Sequence, residues 1–207
     1  MNSPDDITLR RFLRQAILLA IIMIASLGCY LLVLKWRGGS PRFITHTSWD
    51  EWFPYQPAWV WVYLLPYLIG PVVIGFITPA TFRWFVRRGL VVVSLSLILF
   101  ILVPTQVAPR PAEHGLVGIT AMIYENMIAI DEPPANAAPS LHVSLTCLLG
   151  LALLRDFPRW WPATALGVLL VWLATLFTRQ HHLIDVATGA LLALFIGLFW
   201  PLRQVAK

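Results

Sequence analysis

The chain has 207 residues, of which 58% are hydrophobic and only 12% are charged, and its mean hydropathy is +0.75. A soluble globular domain carries about 25% charged residues, so this composition predicts a single integral membrane domain over residues 1–207. The net charge of +5 comes from basic residues scattered through the loops, which excludes the clustered basic surface of a nucleic-acid-binding protein. Cys29 and Cys147 lie in apolar segments, without the spacing of a metal site or a disulfide framework.

The apolar windows predict an all-α fold, with about six transmembrane helices in one bundle. About 20 apolar residues are needed to cross the hydrocarbon core of a bilayer. The candidate windows, of which the fourth is short, are residues 16–34, 58–77, 89–103, 141–154, 163–177 and 183–200. Pro66 and Pro71 lie in the second window, where a membrane helix tolerates a kink. We interpret the first window as a retained anchor and not as a cleaved signal peptide.

Two long connections join these windows, at residues 35–57 and 105–140. The first mixes aromatic and polar residues, and this mixture predicts that it lies on the membrane surface. In the second, Asp131 and Glu132 are expected to be solvated. Two isolated loop histidines receive no functional role: His46 and His114.

The placement of Lys and Arg predicts the orientation, because cytoplasmic loops carry an excess of basic residues. With six crossings, one side of the membrane holds both chain ends and ten basic residues: Arg10, Arg11, Arg14, Arg83, Arg87, Arg88, Arg155, Arg159, Arg203 and Lys207. The other side holds five: Lys35, Arg37, Arg42, Arg110 and Arg179. The N- and C-termini are therefore predicted to be cytoplasmic.

Two short polar segments interrupt the apolar sequence: residues 139–142, Pro-Ser-Leu-His, and residues 178–185, Thr-Arg-Gln-His-His-Leu-Ile-Asp. Ionisable groups at membrane depth are costly, so they are functional candidates by default. In the predicted topology both segments and Arg110 face the same side, which is the outside, the periplasm or an organelle lumen. This coincidence predicts one assembled site at the membrane surface.

The second polar segment contains a candidate nucleophile. His181 and Asp185 are four residues apart, so they share a face if a helix begins here, and we expect them to lie within hydrogen-bond distance. A carboxylate that accepts from one imidazole nitrogen leaves the other free as a nucleophile or base. His182 is three residues from Asp185 and competes for this role. The non-catalytic alternative is a polar helix cap in which the helix dipole favours Asp185.

The first polar segment contains a candidate general acid. Ser140 is predicted to be an N-cap, which places His142 in the first helical turn, where backbone N–H groups bind anions. A histidine there suits protonation of a leaving oxygen, and the alternative is an interfacial histidine without a role. Arg110 and Arg179 join Ser140 as candidate substrate-binding residues, because a guanidinium matches a phosphate group well. For both arginines the alternative is contact with lipid headgroups.

Two competing interpretations use the same residues. Zinc could be held by four side chains: His142, His181, His182 and Asp185. The chain has no His-Glu-x-x-His pair and no acidic general base beside these residues, so metal chemistry ranks below phosphoryl transfer and no cofactor is expected. A non-enzymatic membrane transporter or lipid-binding protein is the other alternative. A transporter should place its charges near the midplane, whereas here they fall at the ends of the apolar windows.

The two segments resemble signatures of the type-2 phosphatidic acid phosphatase superfamily. Residues 136–142, Asn-Ala-Ala-Pro-Ser-Leu-His, are similar to its Pro-Ser-Gly-His signature. Leu141 replaces the glycine, as in the branch that includes inositol phosphorylceramide synthases. Residues 178–185 resemble that branch's third signature, with His181 and Asp185 as its His-x-x-x-Asp. The resemblance covers the second half of the chain well and the first half only in topology.

The resemblance implies a mechanism. His181 would attack phosphorus and form a phosphohistidine, Asp185 would orient it, His142 would protonate the leaving group, and no metal would be required. The chain departs from the family at two phosphate-binding positions. Val103 stands at the Lys of the Lys-x6-Arg-Pro signature, which ends here at Arg110, and residues 174–175, Ala-Thr, stand where Ser-Arg is usual.

We therefore expect a membrane-embedded enzyme that cleaves a phosphate ester or pyrophosphate on a lipid substrate. If water is the acceptor, the enzyme is a lipid phosphatase. If the acceptor is a hydroxyl of a second lipid or headgroup, it is a phosphotransferase similar to an inositol phosphorylceramide synthase, and the first chemical steps are the same. The sequence leaves open the identity of the lipid and the oligomeric state.

Overall fold

A computed structural model describes residues 4–37 and 43–199, which form seven α-helices. They are α1 (Pro4–Arg37), α2 (Val60–Phe76), α3 (Pro79–Leu102), α4 (Gly118–Ile130), α5 (Leu141–Asp156), α6 (Trp161–Phe177) and α7 (Leu183–Leu194). Helix α7 continues into a π-helical turn at Phe195–Phe199, and short 3-10 helices occupy Ser48–Trp52, Pro57–Trp59 and Pro158–Trp160. The predicted helical fold class is confirmed.

Each of the six predicted windows falls on a helix, but the number of membrane crossings is not confirmed. Within the described parts of the chain, four helical stretches are long and apolar enough to cross a membrane, which indicates an integral membrane protein: Thr8–Arg37, Pro57–Phe76, Pro79–Leu102 and Pro158–Phe177. Helix α5 has only 16 residues. The apolar stretch Leu183–Phe199 is also too short by this measure. Residue 200, the predicted end of the last window, lies outside the described residues, as do Arg42, Arg203 and Lys207.

Helix α4 is not predicted from the sequence, in which residues 105–140 read as a connection between apolar windows. Its 13 residues are mostly apolar, but they are too few to reach the length of a membrane span. The helix begins at Gly118, which has a φ of 61°, a left-handed conformation that glycine adopts without steric cost. The connection is therefore partly ordered as a short helix between proline-rich stretches.

Helix α5 lies at the centre of the bundle, in contact with α3, α6 and α7. Its Val143 and Leu148 are fully buried, and so are Ala193 and Ile196 of the α7 segment. Helix α1 packs on α2 and α3, and α2 packs on α6. The outer face of α1 exposes large apolar side chains, as expected for a surface that meets lipid: Ile17, Ile21, Ile24 and Leu32.

The first turns of α5 and α7 are in close contact, and this contact depends on a glycine. A Cβ atom on Gly189 would lie 2.6 Å from the carbonyl oxygen of Ser140, so only glycine fits here. The Ser144 hydroxyl donates to the carbonyl oxygens of Ser140 and Gly189, at 2.8 Å each, and the Ser140 N–H donates to the carbonyl oxygen of Asp185 at 3.0 Å. These bonds hold together the helix starts that carry the two polar segments.

The two long connections are also joined to each other. Strand β1 (Phe43–Ile44) pairs in parallel with strand β2 (Thr105–Gln106), with Phe43 opposite Thr105. Gln106 also forms an antiparallel bridge with Ala135. Thr105 accepts a hydrogen bond through its hydroxyl from the Ala138 N–H at 2.9 Å. The first connection is thereby tied to the stretch of chain that leads into α5.

Candidate active site

The carboxylate of Asp185 is completely buried at the start of α7. Its Oδ2 atom accepts hydrogen bonds from the His182 N–H at 2.8 Å and from the Thr45 hydroxyl at 3.2 Å. His181 Nδ1 lies 3.6 Å from the same oxygen, which is longer than the hydrogen bond expected from the sequence. The nitrogen of His181 that faces the carboxylate is nevertheless Nδ1, so Nε2 is the atom available for chemistry.

His182 is held differently from His181. Its Nδ1 atom lies 2.9 Å from the Thr45 hydroxyl oxygen, and its side chain is buried at the N-cap of α7. The other two neighbours of that hydroxyl, Asp185 Oδ2 and the carbonyl oxygen of Gln106 at 3.4 Å, can only accept its single proton. His182 Nδ1–H is therefore assigned as the donor to Thr45. Burial lowers the pKa of His182 from its ordinary value, which favours the neutral ring. His182 thus occupies the capping position that was the non-catalytic alternative for this segment.

The first connection closes over the start of α7 through Asp50. This buried carboxylate accepts from the Leu183 N–H at 2.7 Å, and from the N–H and hydroxyl of Thr47 at 2.8 Å each. Burial by itself would raise the pKa of Asp50, but these hydrogen bonds outweigh it, and the pKa lies below its ordinary value. The ionised carboxylate therefore satisfies a backbone donor at the helix terminus.

His142 lies in the first turn of α5, as the sequence predicted, and it is buried against α2. Its ring is stacked on Tyr63, with the ring centroids 4.2 Å apart and the planes within 5°. Its Nδ1 atom lies 3.0 Å from the Tyr67 hydroxyl. Among the described residues, nothing forms a hydrogen bond to its buried Nε2 atom. That nitrogen is therefore the one that can act on a substrate.

Ser140 is the N-cap of α5, which confirms the predicted helix start. Its hydroxyl is buried and accepts from the Val143 N–H at 3.3 Å. The bond from the Ser140 N–H to Asp185 ties the two polar segments together, and His142 and His181 are close enough to interact electrostatically. The assignment of Ser140 to substrate binding stays a prediction.

Arg110 and Arg179 both lie at the segment that carries His181. Arg110 Nε donates to the carbonyl oxygen of Arg179 at 3.0 Å, and its Nη2 donates to Oε1 of Gln180 at 3.3 Å. Arg179 has a φ of 55°, the left-handed conformation, and its guanidinium donates to the carbonyl oxygen of Phe53 at 3.0 Å. The structure thus brings the two arginines predicted to bind phosphate to one place, where both donate hydrogen bonds to neighbouring parts of the chain.

Asp131 is not solvated, contrary to the expectation from the sequence, whereas Glu132 is exposed. The Asp131 carboxylate forms an ion pair with Arg110 at 3.5 Å and accepts a hydrogen bond from the Tyr30 hydroxyl. Burial raises its pKa above the ordinary value, despite the opposing effects of Tyr30 and Arg110. Its partners are 21 and 101 residues away in the chain, and the sequence contains no local signal for such contacts.

The remaining candidates are quickly placed. His46 packs its ring against that of His182, with the centroids 5.2 Å apart, and His114 lies 3.2 Å from Glu125. Within residues 4–37 and 43–199, no group of three or more His, Cys, Asp or Glu side chains is arranged to hold a metal ion. The geometry therefore adds no support to the zinc interpretation of this histidine-rich segment.

Paired histidines, a buried carboxylate and two arginines at one end of a helical membrane bundle form a site suited to phosphoryl transfer. A family model described as the PAP2 superfamily matches residues 30–199, and the chain belongs to this superfamily. The superfamily generally comprises phosphatases and phosphotransferases, so membership indicates an enzyme of this broad class. No curated protein and no solved structure matches the chain. The narrower branch of inositol phosphorylceramide synthases is not confirmed.

Proposed function

We propose that this protein is a membrane-embedded lipid phosphatase that cleaves a phosphate ester or pyrophosphate through a phosphohistidine on His181. One observation carries the proposal: the contact between the first turns of α5 and α7 brings the His142 and His181 segments together. The buried carboxylate of Asp185 lies beside His181, and Arg110 donates to the carbonyl oxygen of Arg179, two residues before His181.

The first step is attack by His181 Nε2 on phosphorus, with departure of the lipid alcohol or phosphate. The bond from phosphorus to the leaving oxygen breaks as the nitrogen–phosphorus bond forms. His142, protonated on both nitrogens, gives its Nε2 proton to the leaving oxygen and keeps Nδ1–H on the Tyr67 hydroxyl. Asp185 stabilises the positive charge that develops on the His181 ring, because its carboxylate faces Nδ1.

The second step returns the enzyme to its starting state. His142, now neutral, accepts a proton from a water molecule that attacks the phosphohistidine, and phosphate leaves His181. Arg110 and Arg179 stabilise the negative charge on the non-bridging oxygens in both steps. The first step requires no metal, because its nucleophile is the unprotonated Nε2 of His181, and in the second step His142 takes the proton of the attacking water.

The proposal includes an arrangement in the membrane. Residues 1–207 form one domain, six helices cross the bilayer, and both chain ends are cytoplasmic. The site then lies at the outer face, where the headgroup of a lipid phosphate reaches it. The excess of basic residues on the opposite side of the predicted topology supports this orientation.

The test is turnover by the purified protein. A panel of lipid phosphates and pyrophosphates is incubated with and without acceptor alcohols, and the products are identified by mass spectrometry. Release of inorganic phosphate supports a phosphatase, whereas a phosphorylated acceptor identifies a phosphotransferase. Acid-labile phosphate trapped on wild-type protein but not on His181→Ala supports the intermediate. Failure to turn over any substrate, or activity that is lost with EDTA and restored by zinc or magnesium, contradicts the proposal.

A further inference from the structure

The two arginines do not by themselves supply enough hydrogen-bond donors for a bound phosphate, because both already have partners in the protein. Arg110 is engaged by the carbonyl oxygen of Arg179, by Gln180 and by Asp131, and Arg179 reaches the carbonyl oxygen of Phe53. The family's other two cation positions carry Val103 and residues 174–175, Ala-Thr. A phosphoryl group that gains charge in a transition state needs several donors aimed at its non-bridging oxygens.

Buried polar atoms without partners are concentrated in the two polar segments and the residues beside them. Among the described residues, five such atoms lie there: Asn136 Nδ2, His142 Nε2, Gln180 Nε2, His181 Nδ1 and Asp185 Oδ1, whereas others, such as Ser96 Oγ and Trp172 Nε1, lie elsewhere in the bundle. An unsatisfied buried donor is energetically costly, so proteins rarely leave one without a reason. A ligand that accepts hydrogen bonds would satisfy the donors in this group, and a phosphate is such a ligand.

The orientation of the Gln180 amide follows from its neighbour. A guanidinium has donors only, so the oxygen of the amide must face Arg110, and the 3.3 Å contact is to Oε1. The Nε2 atom then points away from Arg110. The whole side chain is only 3% exposed, so bulk water does not readily replace a missing partner.

The backbone holds Gln180 beside the nucleophile. The N–H groups of Gln180 and His181 both donate to the carbonyl oxygen of Thr175, at 3.0 and 3.1 Å. Thr175 is completely buried. The chain therefore uses the residue at the family's usual Ser-Arg position to anchor the loop, and the amide of Gln180 is fixed one residue from His181.

We infer that Gln180 is a substrate-binding residue whose Nε2–H donates a hydrogen bond to a non-bridging oxygen of the bound phosphate. This inference rests on the proposed function and adds a neutral amide donor to the binding of the phosphate. Arg110 strengthens the donor, because its charge on Oε1 polarises the amide. Arg110 thus acts on the phosphate partly through Gln180.

Two substitutions separate this role from a structural one. Gln180→Glu keeps the shape and keeps an oxygen for Arg110, but it replaces the donor with a second acceptor. Gln180→Met removes both hydrogen bonds without adding charge. If Gln180 only anchored Arg110, then Gln180→Met would be the more damaging change. If Gln180 donates to phosphate, then Gln180→Glu is the more damaging one. Gln56→Met is the matched control, because Gln56 is an exposed glutamine in the first connection.

The readout is the affinity for orthovanadate, a tetrahedral oxyanion, measured by isothermal titration calorimetry on folded, monodisperse protein in detergent. We expect Gln180→Met to weaken binding about 10-fold, the scale for loss of one hydrogen bond to a charged group. We expect Gln180→Glu to weaken it further, and Gln56→Met to bind like the wild type. As a second measurement, the affinity of each variant for vanadate is determined from its inhibition of the turnover of a lipid phosphate.

The outcomes separate this inference from the proposed function. Wild-type protein that binds vanadate through Gln180 but turns over no lipid would retain the inference and refute the function. Turnover that depends on His181, with vanadate affinity unchanged within twofold in Gln180→Glu, would refute the inference and retain the function. A larger loss in Gln180→Met than in Gln180→Glu, or no vanadate binding by the wild type, would also refute it.

Discussion

The two ends of the bundle each contain a buried or half-buried aspartate. They differ in whether the polar atoms of the aspartate and its neighbours have hydrogen-bond partners. At the end of α5, Asp156 accepts from the Thr78 N–H at 2.6 Å and from the hydroxyls of Thr78 and Thr81 at 3.3 and 2.8 Å. Both of its oxygens are used. Thr78 is also the N-cap of α3, with its hydroxyl accepting from the Thr81 N–H. This end is a closed network that joins two helices.

At the start of α7 the network is open. Asp185 Oδ2 has two donors, but Oδ1 has no partner among the described residues, and His142 Nε2 and Gln180 Nε2 share this condition. A saturated network stabilises a fold, whereas buried groups left unpaired require another explanation, such as a role in binding or catalysis. The two ends of the bundle therefore differ in whether their polar atoms have partners, and not in burial alone.

The largest expected effect comes from the open end. His181→Ala should lower kcat by about 10³-fold or more, because it removes the nitrogen that would attack phosphorus. His182→Ala should be milder, since its ring is occupied by Thr45 at the helix cap. Steady-state turnover of a lipid phosphate measures both. An inactive His182→Ala beside an active His181→Ala would reverse the assignment.

The next effect concerns the proton donor. His142→Ala should lower kcat by about 10³-fold, within the range for loss of a general acid. The loss should be smaller with a nitrophenyl phosphate ester, because this leaving group departs without protonation. Parallel assays with the two substrates give the ratio. An equal loss with both would mean that His142 positions the substrate and does not supply the proton.

A smaller effect is expected for the arginines. Arg110→Ala and Arg179→Ala should each lower kcat/KM by about 10²-fold, the scale for one donor to a transition state. Lysine at either position should restore activity only partly, because the planar fork is lost. Near-normal kcat/KM in both alanine variants would show that neither arginine stabilises the phosphate.

The closed end should affect stability and not catalysis. Asp156→Ala should lower the free energy of unfolding by about 1–2 kcal/mol, since it removes a carboxylate that satisfies the start of α3. Its kcat/KM per folded molecule should match that of the wild type. Thermal unfolding and active-site titration measure the two quantities. A loss of kcat/KM in the folded variant would break the contrast between the ends.

The smallest effect is a pH dependence of stability that arises from Asp50. Both oxygens of its carboxylate accept hydrogen bonds, as in Asp156, but Asp50 lies beside the site. Its folded pKa is below the ordinary value of 3.8. Its stabilisation is therefore present above about pH 4 and is lost as the pH falls through the lowered pKa. Asp50→Asn should lower the free energy of unfolding at pH 7 by about 1 kcal/mol, which is measured as a lower Tm. The difference in Tm between the variant and the wild type should shrink below pH 4. A difference that is the same at pH 7 and pH 3 would exclude this origin.

Local patterns in the sequence predicted much of this molecule. Long apolar runs marked the six main helices, because whether a run can span a bilayer depends on its own length and composition. The Pro-Ser step marked the N-cap of α5, because capping involves residues only three apart. The spacing of His181 and Asp185 predicted that they face each other, but His181 lies just before the N-cap of α7 and not on a helical turn, and the ion-pair distance of 3.6 Å is longer than expected.

The tertiary structure decided what surrounds these residues. Thr45 reaches Asp185 across 140 positions, Tyr67 reaches His142 across 75, and Gly189 permits the contact of α5 with α7. The burial of Asp131 was not predicted for the same reason, because its partners Tyr30 and Arg110 are distant in the chain. A helix period or a cap is a property of neighbouring residues, but which distant side chains meet depends on how whole helices pack. Local sequence patterns predict six of the seven helices and the reactive groups. Helix packing sets the partners of those groups, and among the described residues it leaves Nε2 of Gln180 without one.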